Sequence, residues 1–197
     1  MTKTLPANFA FSAEAVAIGA SAGGIDALFT LLEQLPAPIA APIVIVLHLP
    51  EDHESRLVQV FASRLQVPVE EAQPRAPARP GVWFAPPGYH LLVEADRTFS
   101  LSCDPPVLYS RPSIDVLLDS CAEAYGRTLV GMVLTGANED GARGLASIKR
   151  SGGLTAVQDP AEAAHPAMPE AAIAAADPDY VLPLAGLRSL LQTVVRR

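Results

Sequence analysis

Ser21, His48 and Asp140 are the residues of this 197-residue chain whose types and placement suggest chemistry. A serine hydroxyl is a weak nucleophile until a base takes its proton. An imidazole is that base when a carboxylate holds its other ring nitrogen. Ser21 lies in AVAIGASAGGIDAL, residues 15–28. A short apolar run, Ala15 to Ile18, meets a glycine-rich turn. Ile25, Leu28, Leu31, Leu32 and Leu35 then recur at helical spacing. This reads as strand, tight turn, helix. The start of that helix offers unpaired N–H groups and a partial positive charge to an anion or a developing oxyanion. The same pattern cradles nucleotide phosphates, and serine is also an ordinary turn and cap residue. The nucleotide reading predicts an acidic residue ending the second strand to hold a ribose. His48 stands there instead, after the apolar run Ile43 to Leu47.

Each partner of Ser21 has a plainer reading. His48 fits a hydrogen-bonded histidine at a strand end. Asp140 sits in the polar turn Thr135-Gly136-Ala137-Asn138-Glu139-Asp140-Gly141, where it or Asn138 would cap the helix that follows. Glu139 and Asp52 are rival carboxylates. His53, His90 and His165 are rival bases. His53 starts a surface helix and His165 lies in a proline–alanine loop, both poorly placed for geometric reasons. His90 opens a short strand and faces the site from another side.

The elements that position these groups alternate strand and helix. Expected strands begin near Ala15, Ile43, Leu129, Leu154 and Tyr180. Expected helices follow the Ser21 turn, cover 52–65, run from the Ser113 cap to about Tyr125, end near Arg150, and cover 167–176 and 186–195. Continuous β-branched runs such as Ile43 to Leu47 suit strands buried on both faces. The fold expected is α/β, a doubly wound, mainly parallel, Rossmann-like sheet, in which function collects at the carboxyl ends of the strands. Residues 67–71 form a short strand. Val82 to Ala85, His90 to Glu94 and Thr98 to Ser102 read as a small antiparallel meander appended to the sheet. Residues 1–13 are a lead-in, and 14–197 form one domain.

Bulk properties exclude several partner classes. The net charge is −7 and no basic cluster occurs, which argues against nucleic acid or an anionic membrane surface. The apolar runs are too short to span a membrane, and the first 14 residues show no signal peptide, so a cytoplasmic location is expected. Cys103 and Cys121 fit neither a metal spacing nor a disulfide framework; no metal and no cofactor are expected.

Several segments in register carry a family resemblance. Ile18-Gly19-Ala20-Ser21-Ala22-Gly23-Gly24, Val46-Leu47-His48-Leu49-Pro50, Arg111-Pro112-Ser113-Ile114-Asp115-Val116-Leu117 and Leu134-Thr135-Gly136-Ala137-Asn138-Glu139-Asp140-Gly141-Ala142 occur in that order. Together they resemble the catalytic domain of the chemotaxis protein-glutamate methylesterases, the CheB family. Ala85 to Leu91 and Ala167 to Ala171 also resemble family segments. The resemblance covers about residues 14–195. It implies a Ser21, His48, Asp140 triad that hydrolyses glutamate γ-methyl esters on chemoreceptors, releasing methanol, with deamidation of receptor glutamines in some members. It implies Ala22 and Ala137 as backbone oxyanion donors and Arg111 and His90 as substrate-binding residues. The partner expected is a methyl-accepting chemoreceptor, with a separate receiver or methyltransferase protein beside it.

The chain also departs from the family pattern. Ala22 stands where the family has threonine, Ala137-Asn138 where it has Met-Gly, and Tyr109-Ser110 where a second arginine often precedes Arg111. About 14 residues precede the first strand, so a stand-alone catalytic unit without the family's receiver domain is expected. The competing expectation is a non-catalytic or weakly catalytic signalling module of the same fold.

Overall fold

Among the described residues, seven parallel strands form one sheet, in the order Val69–Glu71 (β3), Gly81–Phe84 (β4), Pro42–Leu47 (β2), Ala15–Ala20 (β1), Leu129–Val133 (β7), Leu154–Gln158 (β8) and Tyr180–Leu182 (β9). The computed structural model describes residue 9, residues 11–48 and residues 56–196. The expected helix start at 52, with Asp52 and His53, lies outside the described residues. β1 (Ala15–Ala20) is central, between β2 (Pro42–Leu47) and β7 (Leu129–Val133). All three are buried along their whole length. Their continuous apolar sequences reflect cover on both faces. β8 (Leu154–Gln158) and β9 (Tyr180–Leu182) extend one side. β4 (Gly81–Phe84) and β3 (Val69–Glu71) extend the other. The chain first builds leftward from β1 and then returns to place β7 on its right. That reversal puts the crevice used by doubly wound folds at the carboxyl ends of β1 and β7.

The sheet separates two apolar cores. One face sends Val16, Ile18, Ile43 and Ile45 towards α1 (Gly24–Leu32), α2 (Leu57–Ala62) and α6 (Leu184–Val194). The other sends Ala15, Ala17, Val44 and Val46 towards α3 (Ile114–Tyr125), α4 (Ala142–Arg150) and α5 (Ala167–Ala176). Cys121, buried in the second core, is a free thiol that burial pushes up to about 12. Cys103 is free and exposed.

The expected meander is smaller than its sequence suggests. Among the described residues, β5 (His90–Val93) and β6 (Phe99–Ser102) pair antiparallel in a separate two-stranded sheet, with a single antiparallel bridge from Pro77 to Thr98 beside them. The third strand assigned to the meander, around Val82 to Ala85, is β4, which pairs parallel with β2 and is buried throughout. Its run Gly-Val-Trp-Phe has the composition of a strand covered on both faces, and that cover outweighs its nearness in sequence to β5. Of the face expected on the 52–65 helix, Leu57 and Phe61 are buried, but Val60 is exposed.

Two local features set the positions of the site-bearing loops. A Cβ at Gly19 would stand 2.2 Å from Ile114 Cγ2, so glycine there lets the start of α3 rest on β1. Gly19→Ala should lower stability by about 1–3 kcal/mol through overpacking. A parent-like denaturation midpoint would contradict this packing. On the far side, Asp179 accepts from Lys149 at the end of α4 and from the amide and hydroxyl of Thr155 in β8. Burial opposes ionisation of Asp179, but these bonds, led by that from Lys149, hold its carboxyl below the usual range. The folded chain thus keeps Asp179 charged at a pH where the unfolded chain protonates it. The stability this gives is present above the unfolded-state value and lost as pH falls through the folded one. Asp179→Asn should flatten the acid limb of stability against pH in urea denaturation; an unaltered limb would contradict the assignment.

Candidate active site

The ends of three neighbouring strands meet at one edge. β1 stops at Ala20, whose carbonyl accepts the His48 amide at 3.0 Å. The Ser21 amide donates to the Thr135 carbonyl at 2.9 Å. These bonds carry the pairing one residue beyond Ala20↔Leu47 and two beyond Gly19↔Val133. Ser21 and His48 therefore leave the sheet side by side. Both line an open cleft with Gly23, Gly24, Ile25, Asp26 and Leu47. Gly23 is left-handed, with φ 76°, and a Cβ there would meet Ala164 at 2.7 Å, so the turn needs glycine.

Asp140 is fully buried and reaches back over β1. Its Oδ2 lies 2.9 Å from His48 Nε2 and accepts the Ile114 amide at 2.7 Å. Its Oδ1 accepts the Ser113 hydroxyl and the Asp115 amide, each at 2.9 Å. Burial works against the charged form. The His48 bond and the amides of Asp115 and Ile114 outweigh it and hold the carboxyl below its usual value. Asp140 thus caps a helix, but not the one that follows it. It occupies the N-terminus of α3, where unpaired N–H groups and the helix dipole favour an anion.

α4 receives its cap in exchange. Asp115, on the first turn of α3, accepts the Gly141 and Gly144 amides at 3.0 and 2.7 Å. Burial is the main cause that pushes the Asp115 carboxyl up. The Gly144 amide opposes this and the nearby Asp140 charge adds to it. Asn138 Oδ1 accepts the Asp140 amide at 3.2 Å. The two helix starts therefore lock each other through two carboxylates, and His48 is fastened to the lock.

An ionised carboxylate only accepts, so Nε2 of neutral His48 carries the ring proton and Nδ1 presents a lone pair. Among the described residues, the hydroxyl hydrogen-bonded to Nδ1 is that of Ser110, at 3.3 Å. The Ser21 hydroxyl makes no hydrogen bond among the described residues. The Ala22 and Ala137 amides also have no hydrogen-bond partner there, whereas the Ser21 and Gly136 amides are taken by the Thr135 and His165 carbonyls. Thr135 Oγ1 donates to the Ala22 carbonyl at 2.9 Å and accepts the His165 amide at 2.8 Å, tying the serine turn to the loop before α5.

His90 and Arg111 do not line the cleft. His90 is buried, with Nδ1 accepting the Ser113 amide at 3.1 Å and Nε2 at 3.2 Å from the Pro105 carbonyl. It supports the loop leading into α3. Arg111 Nη1 donates to the Cys103 and Asp104 carbonyls, and its buried Nε has no partner among the described residues. Of the rival groups, Glu139 and His165 are exposed. Among the described residues, no group of three or more His, Cys, Asp and Glu gathers as metal ligands. No helix among them is long and apolar enough to cross a membrane.

Sequence reasoning missed Ser110 and the capping role of Asp115. Nothing local marks Ser110. The acidic residue two positions after the Ser113 cap is a signal for a carboxylate near a helix start, though not for which helix it serves.

A parallel α/β sheet with hydroxyl, imidazole and carboxylate at its strand ends has the make-up of a serine-type hydrolase. The CheB methylesterase family matches residues 16–191, and the chain belongs to that family. It is 46% identical over 178 residues to a Leptospira interrogans protein provisionally named protein-glutamate methylesterase/protein-glutamine glutaminase, covering 90% of this chain and 92% of that one. It is 39% identical over 188 residues to the Trichodesmium erythraeum protein-glutamate methylesterase/protein-glutamine glutaminase, covering 93% of this chain and 53% of that longer protein. The solved CheB methylesterase catalytic domain of Thermotoga maritima superposes with a TM-score of 0.88 at 32% identity, covering 93% of this chain and all of that one.

Proposed function

We infer that this chain is a cytoplasmic carboxylic ester hydrolase that removes methyl groups from γ-glutamyl methyl esters of chemoreceptors. Deamidation of receptor glutamines at the same site is the companion reaction. The single observation that carries this reading is the 2.9 Å contact between His48 Nε2 and the buried Asp140 carboxylate, at the strand edge that also holds Ser21. In the mechanism, Ser21 Oγ attacks the ester carbonyl as His48 Nδ1 takes its proton. The imidazolium, held by Asp140, then protonates the leaving methoxide. Nδ1 next takes a proton from the water that attacks the acyl-enzyme, and the ring returns it to Ser21. An amide substrate loses ammonia by the same steps.

The oxyanion is assigned to the Ala22 and Ala137 amides, which have no hydrogen-bond partner among the described residues, whereas the preceding Ser21 and Gly136 amides are taken. Losing one such donor costs about 3 kcal/mol in barrier. The departures at Ala22 and Ala137 change side chains and leave both backbone N–H groups in place. The openness of the cleft suits a side chain carried on a protein. Arg111, held by its Nη1 bonds to the Cys103 and Asp104 carbonyls, is the proposed contact for the receptor. His90 serves the substrate through the loop it supports. Peptide mass mapping of a receptor carrying methylated glutamates and glutamines tests the reading: both should convert to glutamate on incubation with the chain. Unaltered receptor peptides would contradict it.

A further inference from the structure

His48 has one free lone pair and two serine hydroxyls that could use it. Asp140 holds Nε2, and Ser110 Oγ lies 3.3 Å from Nδ1 in a partly buried contact. The Ser110 hydroxyl has no other partner among the described residues, and Nδ1 accepts, so Ser110 donates to it. Ser21 needs that same lone pair to lose its proton. We propose that Ser110 is a positioning residue that occupies the base nitrogen of His48 in the resting chain and must release it before Ser21 is activated. This rests on the assignment of Ser21 and His48 made above.

The turn that carries Ser110 fits such a release. Val107 and Ser110 exchange two backbone hydrogen bonds, 3.1 and 2.9 Å long. Leu108 and Tyr109 between them are left-handed, with φ 48° and 64°, a conformation that non-glycine residues adopt at an energetic penalty. Tyr109 is fully exposed at the tip. A protein substrate approaching His48 meets this tip, and its contact shifts the residue that follows. In the release step the Ser110 O–H···Nδ1 hydrogen bond breaks and the proton stays on Ser110. The Ser21 proton then passes to Nδ1 as Ser21 Oγ bonds to the acyl carbon.

The test follows labelling of Ser21 by a small fluorophosphonate, which needs no receptor, in the full chain. The reagent bonds to Ser21 Oγ as fluoride leaves. Ser110→Ala should label about 3- to 10-fold faster than the parent, the span that loss of one competing neutral hydrogen bond allows. Ser110→Thr, which restores a hydroxyl, should return the rate towards the parent value. Read in a Ser21→Ala background, where no second serine can take the lone pair, the ¹⁵N signal of His48 Nδ1 should move from a hydrogen-bonded to a free lone-pair position on adding Ser110→Ala. Labelling at or below the parent rate in a folded Ser110→Ala, or an unmoved Nδ1 signal, would overturn the proposal. Labelling that persists in Ser21→Ala would instead overturn the assignment of the nucleophile, and the Nδ1 signal would then decide the role of Ser110 by itself.

Discussion

Asp140→Ala should lose both ester hydrolysis and much of the chain's stability. The carboxylate accepts four hydrogen bonds, two at each oxygen, from His48 Nε2, the Ile114 and Asp115 amides and the Ser113 hydroxyl. Alanine strands these donors in a buried setting, at about 1–3 kcal/mol for each one left unpaired. Partial relaxation brings the expected loss to about 3–5 kcal/mol, a large part of the ~5–15 kcal/mol that holds a domain together. Asparagine is no remedy. Whichever way its amide turns, an NH₂ group faces two donors. Turnover should fall on the order of 10⁴-fold in either variant, because the imidazole loses the partner that sets its tautomer. Urea denaturation and turnover measured on the same preparations check both halves. Full stability with lost turnover would show that the α3 cap is weaker than its geometry implies.

Ser21→Ala should show the opposite pattern. The hydroxyl makes no hydrogen bond among the described residues, so its removal should change stability by no more than about 0.5 kcal/mol. Turnover should still fall by at least about 10⁴-fold, since the remaining groups cannot form an acyl-enzyme. The two variants together separate a group that only reacts from one that both reacts and holds helices in place. Substantial turnover in Ser21→Ala would move the nucleophile elsewhere, with Ser110 the hydroxyl next to the base.

The parts of the fold that were legible share one property: their local sequence matches their surroundings. β1, β2 and β7 are continuous apolar runs, and the sheet covers them on both faces. The loops after them were therefore placed correctly at one edge. β4 was misassigned because its partner is set by a non-local crossover. The composition of Gly81–Phe84 suits a strand covered on both faces but does not say which strand it pairs with. The role of Asp140 was half legible. Its distance along the chain from His48 did not hide a possible carboxylate partner, but a cap on its own helix was the plainer local reading. Its bonds to α3 exist only once α3 and α4 pack together. Ser110 was invisible for a similar reason. The turn that aims it uses Leu108 and Tyr109 in left-handed conformations, without the glycine or asparagine that signals such turns. His90 carried a sequence expectation of substrate contact, and its ring is spent on the Ser113 amide and the Pro105 carbonyl.

Methanol release from chemoreceptors bearing radiolabelled methyl esters is the measurement that bears most directly on these conclusions. The purified chain should release labelled methanol, and Ser21→Ala, equally folded, should not. No release from the folded parent chain would contradict the methylesterase assignment, and undiminished release from Ser21→Ala would contradict the site.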